Sequence, residues 1–327
     1  MFFKKFKNKL LMILITAIIS IPISVSAYSN EVVLGGENVG IEVNSSGVLV
    51  VGFYDVDGTS PGREAGLKMG DIIIKVDDTA ISGITDLSNY FNNKSLKITY
   101  KRGEKEETTT LNLKQNEGVY KTGIYVKDSI IGIGTLTFID PEKNRFGALG
   151  HEILEQTTGV KFEIKDGKIF ESNVTSIKKA DSGQIGEKNA DYNIENIFGT
   201  IDKNDETGIY GNYTSKYNDN SLIEISEEIS LGKADIITVI NGDKKEEFQI
   251  NIISIDKNDE TKNILFEVTD KTLLEKGNGI VQGMSGSPIV QNNKLIGAVT
   301  HVIVDDPHKG YGILITNMLE ESEKKGD

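Results

Sequence analysis

Few side chains in this sequence are both able to do covalent or acid–base chemistry and placed to do it. The 327 residues include no cysteine and three histidines, His151, His301 and His308. Thiolate nucleophiles, thiolate metal ligands and disulfides are therefore excluded, and a His-rich metal site lacks ligands. The most informative segment is Gly283-Met284-Ser285-Gly286-Ser287-Pro288-Ile289-Val290, followed by the Asn-rich turn Gln291-Asn292-Asn293 and the apolar run Leu295-Ile296-Gly297-Ala298-Val299. A serine between glycines on a tight turn that leads into a strand presents its hydroxyl outwards and gathers its amides. That arrangement supplies both a nucleophile and an oxyanion hole. The hydroxyl needs a base near its working pH, and histidine is the natural choice. His308 follows Asp305-Asp306-Pro307 in a polar stretch and reads as solvated; His301 ends a strand and reads as a core or rim histidine. His151, in Phe146-Gly147-Ala148-Leu149-Gly150-His151-Glu152, precedes Ser285 by 134 residues and is the expected base. No step of such chemistry calls for a metal or an organic cofactor.

The elements that must position these residues read as mainly β. From about Gly118, strand-like runs recur at 124–126, 130–138, 160–164, 236–240, 248–255 and 264–268, with Asn241-Gly242 as a hairpin signal. Residues 181–217 are rich in Gly, Asn and Asp and predict long connections or a surface flap. Some 200 residues of short strands with few helices suggest one β-barrel or a pair. Ahead of them lies a smaller unit. It has a strand at 47–53, a short helix at 60–67 with Pro61 in its first turn, and a strand at 70–78. A helix at 84–92 and a hairpin pairing 96–100 with 108–113 complete it.

In that unit the segment SPGREAGLKMGDIIIKVDDTAI, residues 60–81, resembles a PDZ domain, with its small helix and following G-D-Φ-Φ strand. Asn38-Val39-Gly40-Ile41 fits the family's carboxylate-binding loop. The resemblance implies that Val39, Gly40 and Ile41 bind a peptide, whose strand pairs along 41–44 opposite the helix at 84–92. The Ser285 segment in turn resembles the nucleophile loop of chymotrypsin-like serine peptidases, which implies Ser285 as the attacking residue, the backbone N–H groups of Gly283 and Ser285 as oxyanion donors, a double β-barrel and the chain order His before Ser. Spacing generic to that fold looks for the orienting carboxylate among Asp191, Asp202 and Asp205.

At the N-terminus, Lys4, Lys5, Lys7 and Lys9 precede an apolar run over 10–25 that ends in Val25-Ser26-Ala27, the pattern of an export signal or signal anchor over 1–27. Without those residues the net charge goes from −13 to −17. That acidic body offers no surface for nucleic acid. Export signal, PDZ domain over 28–117, peptidase domain over 118–327, GALGHE and VTDKTLLEKGNGIVQGMSGSPIVQ together resemble the stage IV sporulation protein B peptidases. The resemblance implies a triad of His151, Asp270 and Ser285, although Asp270 also precedes a helix-like run and fits an N-cap. It further implies export to the space between forespore and mother-cell membranes, association with the forespore membrane, and self-processing. The expected partner is a protein substrate at a membrane surface, a regulator complex of sporulation held partly through the PDZ groove, whose cleavage permits processing of a late sigma-factor precursor. An HtrA-like quality-control protease and a non-catalytic PDZ scaffold are the rival readings. Against the first stands Gly147-Ala148-Leu149-Gly150-His151 in place of a T-A-A-H-like context, and against the second the intact Ser285 and His151.

Overall fold

The computed structural model describes residues 28–181, 183–218 and 221–324; the expected export signal over 1–27 lies outside them. The strands are β1 (Glu31–Leu34), β2 (Asn38–Phe53), β3 (Ile72–Val76), β4 (Thr79–Ala80), β5 (Ser95–Arg102), β6 (Lys105–Asn112), β7 (Lys114–Asn116), β8 (Val119–Lys121) and β9 (Ile124–Asp140). There follow β10 (Arg145–Ala148), β11 (Ile164–Lys178), β12 (Gly186–Asp205), β13 (Gly208–Tyr213), β14 (Leu222–Glu224), β15 (Gly232–Val239) and β16 (Lys245–Ile255). The last are β17 (Ile264–Val268), β18 (Val281–Gln282), β19 (Pro288–Gln291), β20 (Lys294–Ile303) and β21 (Asp306–Leu314). Four short helices accompany them: α1 (Pro61–Glu64), α2 (Ile84–Ser88), α3 (Lys271–Gly277) and α4 (Ile315–Glu323). Among the described residues no helix is long and apolar enough to cross a membrane.

Strands β15, β16, β17, β21, β20 and β19 form a closed barrel. Alternate residues fill it, because side chains two apart along a strand share a face: Ile236, Phe248, Ile250, Ile252, Ile264, Phe266 and Ile289 are all buried. The larger sheet runs β9, β10, β13, β12, β11, β2, and β2 pairs in addition with β9. Val39, Ile41, Val43, Leu136, Phe146, Phe162, Ile169 and Ile201 pack within it.

The PDZ unit grows out of this sheet. Its core is Val48, Val50, Leu67, Ile73, Leu87, Leu96, Ile98 and Leu111, on strands β3, β5 and β6 and the upper half of β2. The lower half of β2 belongs elsewhere. Asn38 to Asn44 pair with Thr135 to Ser129 of β9, and Val39 to Asn44 pair with Glu171 to Asp166 of β11. Residues 31–34 of β1 pair with β14 and β9. By strand pairing, residues 31–44 lie in the sheet with β9 and β11, and the PDZ body stands between the lower half of β2 and β9.

Two further expectations change. The stretch expected as a flap holds β12, twenty residues long, and β13. Much of β12 is exposed on both faces, so it lacks the apolar alternation of a half-buried strand; its order comes from ladders to β11 and β13. The helix expected at 84–92 ends at Ser88, and single-turn bonds such as Tyr90 N–H to Leu87 O (3.2 Å) continue it.

Candidate active site

The nucleophile turn is held by its carbonyls. Gly283 O accepts from the Thr135 hydroxyl (2.8 Å) and Gly286 O from the Thr137 hydroxyl (2.8 Å). Met284 O accepts from Ser287 N–H (2.9 Å), and Ser285 O from Thr135 N–H (2.9 Å). In a trans peptide the carbonyl and the next N–H point in opposite directions. Fixing Met284 O against Ser287 therefore turns the Ser285 amide away from the turn, as an oxyanion donor requires. Gly286 (φ +90°) explains the glycine after the serine. A Cβ there would stand 2.1 Å from Thr135 O and 2.5 Å from Leu149 N, besides the left-handed backbone. Met284, fully buried, anchors the turn from below.

His151 reaches the same cleft from the other sheet. Strand β10 ends at Ala148, and Leu149 (φ +68°) and Gly150 (φ +70°) then reverse the chain. A leucine in the left-handed region is strained, a cost tolerated where geometry matters more than stability. Its N–H donates to Thr135 O (3.3 Å). Thr135 of β9 thus touches both the nucleophile turn and the loop that delivers the histidine.

His151 Nδ1 lies 2.8 Å from the Glu152 carbonyl. A carbonyl only accepts, so Nδ1 carries the proton and Nε2 keeps its lone pair, the tautomer a general base needs. Desolvation holds the imidazole below its ordinary pKa, and the Glu152 carbonyl works in the opposite direction. Ser285 Oγ donates to the Thr300 carbonyl (3.0 Å). Thr300 sits at a register shift in the β20–β21 ladder, between the pairs Val299 to Gly312 and His301 to Tyr311; such bulges re-aim backbone groups next to sites.

His301 belongs to this cleft, where the sequence reading had placed a core or rim residue. Its ring centroid is 5.1 Å from that of His151. Desolvation, then the neighbouring His151 and Lys262, push its pKa down to about 4, so it is neutral at physiological pH. Thr135, Thr300 and His301 were all missed as site residues; only His301, one of three histidines, offered a signal. The cleft has a volume of about 1060 Å³, and Ser285, His151, His301, Asp191, Lys188 and Gly283 are among its lining residues. Among the described residues no group of three or more His, Asp or Glu is arranged to hold a metal ion.

Asp270, the expected third member, has a second engagement, while His151 Nδ1 faces the Glu152 carbonyl. Asp270 caps α3, its carboxylate accepting from Leu273 N–H at 3.0 Å. Of the spacing candidates, Asp191 lines the cleft, Asp202 pairs with Arg145, and Asp205 accepts from Thr207.

The expected peptide loop is also placed differently. Val39, Gly40 and Ile41 are buried, with β9 on one edge and β11 on the other, so neither edge is open to an added strand. Gly40 is required because the Phe170 ring lies on it, 2.1 Å from where a Cβ would be.

Known proteins resemble both parts of the chain. The family described as SpoIVB peptidase S55 matches residues 118–319, and the PDZ domain family matches residues 34–113. Two proteins named serine protease Do-like HtrA, from Lactococcus lactis strains IL1403 and MG1363, are each 37% identical over 82 residues, 24% of this chain and 19% of theirs. The chain thus spans about a fifth of the length of these relatives. Among solved structures, the PDZ domain of an SdrC-like protein from Listeria monocytogenes is 28% identical, with a TM-score of 0.22, covering 26% of this chain and 90% of that one. The active form of the Rv3671c protease from M. tuberculosis is 15% identical, with a TM-score of 0.34, covering 60% of this chain and 74% of that one. The peptidase match covers more than half of the chain, which therefore belongs to the SpoIVB peptidase S55 family and carries a PDZ domain.

Proposed function

We propose that the chain is an exported serine endopeptidase of endospore formation, acting at the forespore membrane on a membrane-associated regulator and on itself, so that a late sigma-factor precursor can be processed. The observation that carries this reading is the peptidase family match over residues 118–319, together with Ser285 and His151 on one cleft. Ser285 attacks the peptide carbonyl while His151 Nε2 takes its proton. The amides of Gly283 and Ser285 receive the oxyanion, and His151 returns the proton to the leaving amine; water then releases the acyl group by the same steps. A backbone carbonyl, that of Glu152, orients the imidazole in this geometry. The ring of pairings through β2, β9, β10, β13, β12 and β11 supports reading the larger sheet as the partner barrel of a chymotrypsin-like pair. A PDZ domain supports binding of a peptide or protein substrate, through a surface other than the paired strand at Val39, Gly40 and Ile41.

The stretch 37% identical to HtrA proteases favours a second reading, broad quality control of unfolded protein. A fluorophosphonate probe and an unfolded protein such as reduced casein separate the possibilities. Labelling that disappears in Ser285→Ala, with casein left intact, is expected. Labelling that survives Ser285→Ala removes Ser285 as nucleophile, and general degradation of casein favours quality control.

A further inference from the structure

Lys188 is a buried charge that the chemistry above does not use. It follows Glu187, which pairs in parallel with Gln282, so the ladder sets Lys188 level with Gly283. Its stem runs under the turn: a Cβ on Gly283 would meet Lys188 Cδ at 3.1 Å and Ile133 Cδ1 at 2.9 Å. The residue is 4% exposed, yet it lines the cleft. Its Nζ donates to Thr238 Oγ1 (3.0 Å) and Asn38 Oδ1 (3.4 Å), two neutral acceptors that are themselves buried. A buried ammonium without a carboxylate partner is costly, and such groups concentrate where their charge has a task.

We propose that Lys188 is a positioning residue of the oxyanion hole, fixing the Gly283 end of the nucleophile turn and setting positive charge beside the amides that receive the oxyanion. Three strands meet in its side chain: β12, which carries it, β2 through Asn38 and β15 through Thr238. Holding Nζ to both acceptors clamps the two sheets at the turn. The positive charge attracts negative charge that exists only once the carbonyl has been attacked, so it lowers the barrier more than it tightens substrate binding.

The carboxylates on the surrounding elements have other engagements. Glu37, just before β2, pairs with Lys245, and Glu42 on β2 with Lys168; on β12, Glu187 faces Lys178. On β16, Glu246, across from Thr238, is partly exposed. None contributes to the lysine's pKa, which burial alone pushes down to about 7. Protonated Lys188 is the form that helps, so its contribution is complete below that pH and is lost as pH rises through it.

This inference rests on the reading of Ser285 as nucleophile with Gly283 and Ser285 as oxyanion donors. The test is the rate of fluorophosphonate labelling of the full chain between pH 5 and 9, for wild type, Lys188→Met, Lys188→Arg and Ser285→Ala. Wild-type labelling should rise as His151 loses its proton and fall as pH passes about 7. Lys188→Met should label roughly tenfold more slowly at pH 6 and lack the alkaline fall, while Lys188→Arg, charged throughout, should lack the fall yet label faster than Lys188→Met. A Lys188→Met protein with the wild-type rate and profile overturns the proposal, as does a loss of stability with no change in rate. If neither variant folds, the wild-type curve decides: no fall between pH 7 and 8 overturns it. Labelling that persists in Ser285→Ala fails the underlying reading instead, and is recognised by that variant alone.

Discussion

Thr135→Val tests whether the nucleophile turn is held from β9. Thr135 is fully buried; its hydroxyl donates to Gly283 O at 2.8 Å and its N–H to Ser285 O at 2.9 Å. Valine has nearly the same shape and keeps the N–H, so packing and one bond survive while the hydroxyl is lost. The Gly283 carbonyl is then left without its donor. A buried acceptor stripped of its partner costs about 1–3 kcal/mol, more than the net worth of the bond that was present. Part of that cost falls on global stability and part on the turn, whose Gly283 peptide is freed to rotate. If about 1.4 kcal/mol falls on the turn, acylation slows about tenfold. Urea unfolding and fluorophosphonate labelling of the same preparations measure the two shares, with Thr135→Ser as the control that restores the hydroxyl. The reasoning fails if Thr135→Val matches wild type in both assays, or if Thr135→Ser is as impaired as Thr135→Val.

Glu155 is a fully buried carboxylate whose pKa falls to about 2: desolvation raises it, but Lys127 at 2.7 Å and the N–H groups of Thr158 and Thr157 outweigh that. A depressed carboxylate stabilises the fold above about pH 4.5 and loses that contribution as pH falls towards 2, here on the order of 2–3 kcal/mol. Urea midpoints at pH 3 and 7 should differ less in Glu155→Gln than in wild type, and equal acid sensitivity would disprove the account. Asp270→Asn should leave stability nearly unchanged, because Asn caps about as well as Asp, whereas Asp270→Ala should lose about 1 kcal/mol. Labelling of the Asp270→Asn protein gives the second readout: a collapse with stability intact would put this carboxylate on the imidazole during acylation, whereas an unchanged rate leaves it the cap alone.

The PDZ body was legible because its signals are local: Pro61 at a helix start, Gly70-Asp71 before an apolar strand, and a hairpin closed by a short turn. The lower half of β2 was not, since Asn38-Val39-Gly40-Ile41 reads the same whether its edges are open or filled. Its partners, Thr135 to Ser129 on one side and Glu171 to Asp166 on the other, are some 90 to 130 residues away. Scarcity singled out Ser285 and His151, which line one cleft: one serine on a glycine turn and three histidines left few combinations. Thr135 and Lys188 had no such advantage, because a threonine or lysine becomes part of a site only through what is paired beside it. The V-T-D segment carried family information about Asp270, while the local physics of an Asp before a helix favoured the cap that the structure contains.

The position of the PDZ body between the lower half of β2 and β9 has a mechanical consequence that a linker would lack. Both strands run without a break from the PDZ core into the peptidase sheet: Val48 and Val50 of β2 and Ile124 of β9 are buried in the former, Val39, Ile41 and Leu136 in the latter. The ladder between them shifts register between Asn44 and Leu49, opposite Ser129 and Lys127, and then continues to the pair Asn38 and Thr135. Asn38 accepts from Lys188 Nζ, and Thr135 donates to Gly283 and Ser285 of the nucleophile turn. A paired two-strand ribbon resists bending and shear far more than a flexible linker, because deforming it strains hydrogen bonds all along its length. The ribbon therefore ties the PDZ body to the strands that carry Asn38 and Thr135, and the bulge between Asn44 and Leu49 is the point along it where the ladder gives least resistance.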